Sequence, residues 1–580
     1  MSPARTRLLA GAALSAGTLL LAGCSGTSGT SSASRDSINY ALPANFTPNW
    51  ILPIGTPAHL NTNNISIANT LWEPLVAYDG STGKIAWNKA GSLATAADFA
   101  ADNKSVTITL GDRHWSDGKP VTSADVKFWF DLIKANKTEW AGYNPGKAPD
   151  NWTSFKTVDD RHFTLTFDKA YNPQWMLANE LSLINPLPQH VWDKEGDAKK
   201  DWTYLNDAAK NISGYASNPL WKTISGPYAV KSFSTAGKVV LTANKKYDGG
   251  EKPGIGTVNL LPFTTADAEK NALRSGSVDY GYIEATDLDQ KEQFTSQGYA
   301  VKPWSGWAIT YMPYNFENPA MGAVFKQLYA RQAVQRSIDQ TSLAKVVFNG
   351  TAVPGFGPIP QGQSSDFLSP VQKSNPYPFS TDAARQLLTD HGWTEQGGVM
   401  TCTEPAKCGE GIAKGTKFEM QVLSQSGSTV TDNMMSAIQS SLSKTGIKFA
   451  IKTAPVNSVL SQTPPCTASQ SICKWQLSFF GTAGSWYFNA FPTGDSLFQS
   501  KGGSNFGGYS NAGVDTLISA STTSSSNQAI QDYSAALAKD LPVIWLPEPV
   551  YQISVIRSGL GGFSQDSLAN FHPAQWKWTS

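Results

Sequence analysis

Five cysteines carry the most distinctive spacing in this chain. Cys24 closes the run Leu21-Ala22-Gly23-Cys24, where small residues leave the backbone open to a peptidase and the thiol open to acylation. The run before it, Leu8 to Leu21, is apolar, follows Arg5 and Arg7, and is shorter than the roughly 20 residues of a membrane span. This reads as a lipoprotein signal peptide over residues 1–23, lipidation at Cys24 and a flexible Ser/Gly/Thr-rich tether over 24–36. Several acyl chains, at about 0.8 kcal/mol per buried methylene, hold such an anchor far more durably than one. The other four cysteines fall in close pairs, Cys402 with Cys408 and Cys466 with Cys473. Outside the cytoplasm, local disulfides are the natural reading. The competing arrangement is a four-thiolate zinc site, whose pairs are usually tighter.

Catalytic chemistry finds little support. The six histidines, at 59, 114, 162, 190, 391 and 572, include no pair three or four residues apart, as a helical metal site needs. There is no G-x-S-x-G elbow, P-loop or G-x-G-x-x-G. Asp159 and Asp160 are adjacent, so on a strand they point to opposite faces. Asp117 lies in a turn without calcium-loop spacing. Widely separated glycosidase carboxylates are the one catalytic arrangement that sequence leaves open. The reading is a non-enzyme with no cofactor and no metal. A net charge of +1 provides no field for nucleic acid.

Binding chemistry has more to work with. The stretch FFGTAGSWYFNAFPTGD, Phe479 to Asp495, holds six aromatic rings and no charge before Asp495. Its rings follow neither a two-residue nor a 3.6-residue period, and Gly481 and Gly484 interrupt any regular element. It is either a cap over core or the wall of a site. Nineteen tryptophans suit packing and stacking alike.

The elements around these residues are α/β. Thr107 to Leu110 and Arg161 to Phe167 alternate as strands, and Thr122 with Asp125 forms a capping box before a helix with Val126, Trp129, Phe130 and Ile133 on one face. Gly226-Pro227 turns into strands through Val230 and at Val239 to Thr242. A helix through ADAEKNALR ends near Gly276 and leads into a strand, Lys326 to Val347 reads as one helix, and Ser380 caps another. At 580 residues the chain needs more than one core.

The segments DRHWSDGKPVTSADVKFWFDL, SGPYAVKSF, VVLTANKKYDGG, ARQAVQRSIDQTSLAKVVFNGTAVPGFGPIP, YPFSTDAARQLLTDHGW and GGYSNAGVDTLI occur in this order. From about Asn39 to its end the chain resembles the family 5 extracellular solute-binding proteins, the oligopeptide- and dipeptide-type receptors of ABC importers. The resemblance implies a two-lobed periplasmic-binding-protein-like fold (type II, cluster C) with an extra subdomain inserted in the first lobe. It implies a first lobe of 37–71, 221–303 and 546–580, an inserted subdomain of 72–220 and a second lobe of 304–545. Peptide-binding members carry a tryptophan and an aspartate in the region matching the ring-rich stretch, the aspartate meeting the peptide ammonium. Here Gly484 and Ser485 stand near that position and the next acid is Asp495. The expected ligand contacts are Trp50, Trp307, Tyr311, Trp486, Tyr487 and Asn489, with Glu317 as a substitute carboxylate and Trp486 as the main contributor.

The resemblance further implies a monomer that captures a peptide or similar solute between its lobes. It would deliver that solute to ABC permease subunits driven by a cytosolic ATPase, while held to the outer face of the bacterial cell membrane by its lipid. The alternative is a non-transport cell-envelope protein that binds glycolipid or protein on the same fold.

Overall fold

The chain crosses between two bodies of sheet at two places, and this organises everything else. In a computed structural model, residues 35–42, 47–59, 61–79, 84–85, 87, 91–362, 366–481, 484–565, 567–569 and 571–579 are described. The expected signal peptide, Cys24 and most of the tether lie outside them. From Asp36 onward the chain forms one compact unit. Its first lobe is built on a seven-stranded sheet ordered Tyr299–Trp304, Gln552–Arg557, Tyr280–Ile283, Ser37–Ala41, Thr257–Leu261, Val239–Ala243, Tyr228–Phe233. Ser37–Ala41 runs parallel to both its neighbours, and the remaining pairs are antiparallel.

In the second lobe, Ala308–Pro313 pairs antiparallel with Val543–Leu546, from Thr310 opposite Leu546 to Pro313 opposite Val543. A parallel sheet of Lys448–Ala454, Glu419–Gln425 and Leu477–Phe479 lies beside it. The bridge from Tyr314 to Leu477 joins the two. Crossing between lobes therefore falls between Trp304 and Ala308 and between Leu546 and Gln552.

The inserted subdomain carries a four-stranded sheet ordered Ala94–Phe99, Ser105–Leu110, His162–Phe167, Trp152–Thr157. Ser105–Leu110 alternates between buried and half-buried positions, as its sequence requires. Helix Ser123–Ala135 begins at the expected capping box of Thr122 and Asp125. It buries Trp129 and Phe130, which pack on Trp140 and Trp152. Most of the tryptophans are core: Trp72, Trp115, Trp129, Trp152, Trp175, Trp192, Trp393 and Trp545 are among the largest fully buried side chains.

The expected single helix from Lys326 to Val347 is not continuous. Helix Leu328–Arg336 stops, a short turn Gln340–Ser342 follows, and Leu343–Val347 winds as a π-helix. At the break, Ser337 Oγ donates back to the carbonyl of Ala333 and bonds Thr445 Oγ1, while Asp339 caps the restart by accepting the N–H of Ser342. Side-chain competition for backbone partners ends the helix where apolar spacing alone would carry it on. Ser380 caps Thr381–Asp390 as expected, accepting the N–H of Ala383.

Two disulfides, Cys402–Cys408 and Cys466–Cys473, are formed. Among the described residues no helix is long and apolar enough to cross a membrane.

Glu180 sits fully inside the inserted subdomain, 2% exposed, and accepts from Ala148 N, Asn151 Nδ2 and Trp152 Nε1. Burial outweighs these bonds and pushes its pKa up to about 7 from 4.5. The folded state then holds this proton more tightly than the unfolded chain. Its stabilising share is whole below about pH 4.5 and is lost as pH rises through about 7, on the order of 3 kcal/mol. Thermal unfolding at pH 5 and pH 8 should show wild type losing stability relative to Glu180→Gln. A difference that does not change with pH would contradict this.

Candidate functional site

Both lobes present the carboxyl ends of parallel strands to one cavity of about 230 Å³, the usual place for a ligand in open α/β sheets. The second lobe contributes Gln425, at the end of Glu419–Gln425, and Ser428, the N-cap of helix Thr429–Ser443. The first lobe contributes Tyr282 and Glu284 from the end of Tyr280–Ile283, and Glu269 from helix Ala266–Arg274. Tyr551 and Gln552 come from the second crossing.

Glu269 and Leu273 are the buried face of their helix, one turn apart. Strand Ser37–Ala41 pairs with Tyr280–Ile283 only at Tyr40 and Tyr280, so beyond that point the sheet opens. There Glu269 Oε1 accepts the Tyr282 N–H at 2.6 Å. Gly281 is needed for this approach, since a Cβ on it would stand 3.0 Å from Oε1 and 3.2 Å from Ala41 Cβ. Tyr282 in turn donates its hydroxyl to Tyr40. Burial raises the pKa of Glu269 well above the carboxylate range, against a lowering from the Tyr282 N–H.

Glu284 crosses the lobes. It accepts from Ser428 Oγ and, at 3.1 Å, from Thr429 N, while Ser428 Oγ also accepts the Thr431 N–H. A carboxylate of one lobe thus finishes the cap of a helix in the other and faces the positive end of its dipole. Burial raises its pKa; the bonds from Ser428 and Thr429 oppose that. Asn349, just after the π-helical turn, reaches Ala285 O at 3.4 Å as a second crossing. On the other side of the molecule, asparagines of the inserted subdomain reach the second lobe: Asn144 to Ser496, Asn172 to Ser524 O, and Asn179 to Phe491 O.

The ring-rich stretch is a turn into a short strand. A Cβ on Gly481 would lie 2.0 Å from Gly484 O, and Gly484 has φ +132° with Ala308 Cβ at 2.9 Å from such an atom. No acidic side chain fits at Gly484. Ser485 is buried, and its hydroxyl accepts the Tyr311 N–H and donates to the Tyr311 carbonyl. Tyr487 pairs with Ala308 and lines the cavity, its ring edge-on to Tyr551 at 5.3 Å.

Of the six expected contacts, Tyr487 lies on this cavity and the other five do not line it. Trp486 pairs with Ile309 and packs half-buried against the core, because neighbours on a strand face opposite ways. Trp50 is 2% exposed, stacked on His59 at 3.9 Å. Trp307 is buried and donates to Asn489 O, and Asn489 is exposed, its side chain turned to Asn179 at 3.4 Å. Tyr311 is buried beside a small separate cavity, and among the described residues its hydroxyl has no hydrogen-bond partner. Glu317 pairs with Lys326, and Asp495 with Lys147 at 3.5 Å. Sequence reasoning missed Glu269, Glu284 and Gln552. For Glu269 a signal existed, an acid four residues before Leu273 on the apolar register of its helix; for Glu284 there was none.

Two α/β lobes joined by two crossings, with a cavity between them and a subdomain inserted in the first, define a periplasmic-binding-protein-like fold of type II. The family model of bacterial extracellular solute-binding proteins, family 5 Middle, matches residues 90–505, and the chain belongs to that family. The family is one of binding proteins, not enzymes, and among the described residues no group of three or more His, Cys, Asp or Glu could hold a metal ion. The chain is 26% identical over 388 residues to a protein of Brucella ovis named as a candidate ABC transporter peptide-binding protein. That match covers 66% of this chain and 63% of the relative, just under two thirds of its length. It is 22% identical over 446 residues to the oligopeptide-binding protein AppA of Bacillus subtilis, covering 75% of this chain and 73% of AppA. The AppA structure with a nonapeptide matches at TM-score 0.75 and 18% identity, over 94% of this chain and all of that one. NikZ of Campylobacter jejuni with Ni(L-His) matches at 0.70 and 18%, over 94% and 99%.

Removing the Glu284 carboxylate should favour separation of the lobes. Glu284→Ala is expected to weaken the closed form by about 1–2 kcal/mol, the size of a charged cap. Small-angle scattering of the unliganded variant should give a larger radius of gyration than wild type. Faster amide exchange at Thr429 and Thr431 should accompany it.

Proposed function

We propose that the chain captures a solute between its lobes outside the cytoplasm and presents it to the permease of an ABC importer. The carrying observation is the cavity walled by both lobes, with Glu284 and Asn349 bonding across it. A ligand touching both walls favours the closed arrangement by its differential affinity for it. A short peptide is the solute class this reading favours, on the family and on the peptide-binding relatives. The cavity volume lies below the roughly 300–1,000 Å³ of drug-sized sites, which suits a solute of few residues. On the same reading the protein is a monomer, Cys24 carries the lipid anchor, and 37–71, 221–303 and 546–580, 72–220, and 304–545 delimit first lobe, insertion and second lobe.

Purified protein should bind members of a short-peptide library in native mass spectrometry and contract in small-angle scattering on binding. Absence of both across peptides, sugars and amino-acid derivatives would refute the reading. Cys24→Ala should leave a folded domain that fractionates as soluble or unprocessed. A substituted protein still processed and membrane-bound would exclude anchoring at Cys24.

A further inference from the structure

Glu269 is a buried acid with half its bonding capacity unused. The side chain is 2% exposed and lines the cavity; Oε1 takes the Tyr282 N–H, and among the described residues Oε2 makes no hydrogen bond. The cavity's other acid, Glu284, is occupied by Ser428 and Thr429. The bases on the same helix are turned elsewhere. Lys270 lies 2.7 Å from Asp267 and 2.8 Å from Asp287, and Arg274 bonds Gln290. No Lys, Arg or His lines the cavity among the described residues. The titratable groups facing Glu269 are the hydroxyls of Tyr40 and Tyr282, neither of which is a cation.

The wall around it is suited to a cation. Tyr282, Tyr487 and Tyr551 supply ring faces and edges, and among the described residues the buried Nε2 of Gln552 has no acceptor. A carboxyl group in such a setting keeps its proton until a positive charge arrives, because an unpaired buried anion costs several kcal/mol. The same burial is what raises its pKa.

We propose that Glu269 is a specificity residue that receives a cationic amine of the solute inside the cleft, with Gln552 Nε2 free to donate to a carbonyl of that solute. This rests on the solute-binding reading and narrows it to amine-bearing ligands. The acceptor then stands on the first lobe, opposite the turn where Gly484 admits no acid. The ammonium enters with its own proton, and the proton on Glu269 leaves to solvent as the pair forms.

The test is calorimetry at pH 7 in two buffers of different ionisation heat, which counts protons released. The probes are trialanine, with an α-ammonium; N-acetyl-Ala-Lys-Ala-amide, with a side-chain ammonium; N-acetyl-trialanine-amide, with neither; and putrescine. At least one amine-bearing peptide should bind ten-fold or more tighter than the capped neutral one and release protons on binding. Which of the two does so identifies the source of the amine. Glu269→Gln keeps an acceptor for the Tyr282 N–H. It should abolish both the preference and the proton release, so that the amine-bearing peptide binds no tighter than the neutral probe, and Glu269→Asp should restore the release. If Glu269→Gln does not fold, the wild-type preference and proton count decide. Equal binding of the neutral peptide, without proton release, would overturn the amine site and leave peptide capture standing. Glu269-dependent binding of putrescine with silent peptides would support the amine site and remove the peptide reading. No binding by any probe would remove both.

Discussion

The pairing of Ala308–Pro313 with Val543–Leu546 is the interaction on which the rest depends. These strands are the second lobe's hold on the two segments that run to the first lobe, where Tyr299–Trp304 and Gln552–Arg557 lie side by side in the seven-stranded sheet. Two paired strands thus continue from one sheet into another, and only the short stretches between them can absorb a change of angle between lobes. Those stretches are lined with rings. Tyr551 packs edge-on to both Trp304 and Tyr487, one from each side of the crossing. The residues that would absorb rotation are therefore also residues of the cavity wall, so a ligand against Tyr551 acts directly on the joint.

The contacts that bridge the lobes are mostly neutral. Asn144, Asn172, Asn179 and Asn349 each offer an amide, and their partners are carbonyls and a hydroxyl. Such bonds are little affected by salt and contribute roughly 0.5–1.5 kcal/mol each. Charge enters at the Lys147–Asp495 pair between insertion and second lobe and at Glu284 at its helix terminus, where the dipole and two N-terminal donors offset part of its desolvation. A closed arrangement held by several modest bonds is one that a ligand can tip.

Much of the architecture was legible in the chain's local patterns. The capping box at Thr122, the N-cap at Ser380 and the alternating strands before Leu110 and Phe167 depend on neighbours within a few residues, and each formed where its pattern stands. The helix over Lys326 to Val347 broke because Ser337 found a hydroxyl 108 residues away, at Thr445. Periodicity carries no information about such a partner.

The site divides along the same line. The sequence alone determined that the ring-rich turn has no carboxylate at Gly484 or Ser485, that its glycines bend the chain, and that no helical histidine pair, G-x-S-x-G elbow or P-loop is present, since these follow from residue identity and order. Which rings face the cavity was a tertiary decision. Trp486 and Tyr487 are equivalent in composition, and only the pairing of their strand with Ala308 and Ile309 turns Tyr487 inward and Trp486 to the core. The acids were a tertiary decision too. Glu269 and Glu284 look like surface residues of a polar helix and a loop until the sheet opens beside Tyr282 and the second lobe brings Ser428 across, because their burial depends on how the sheet and lobes pack, and the partner of Glu284 lies 144 residues away.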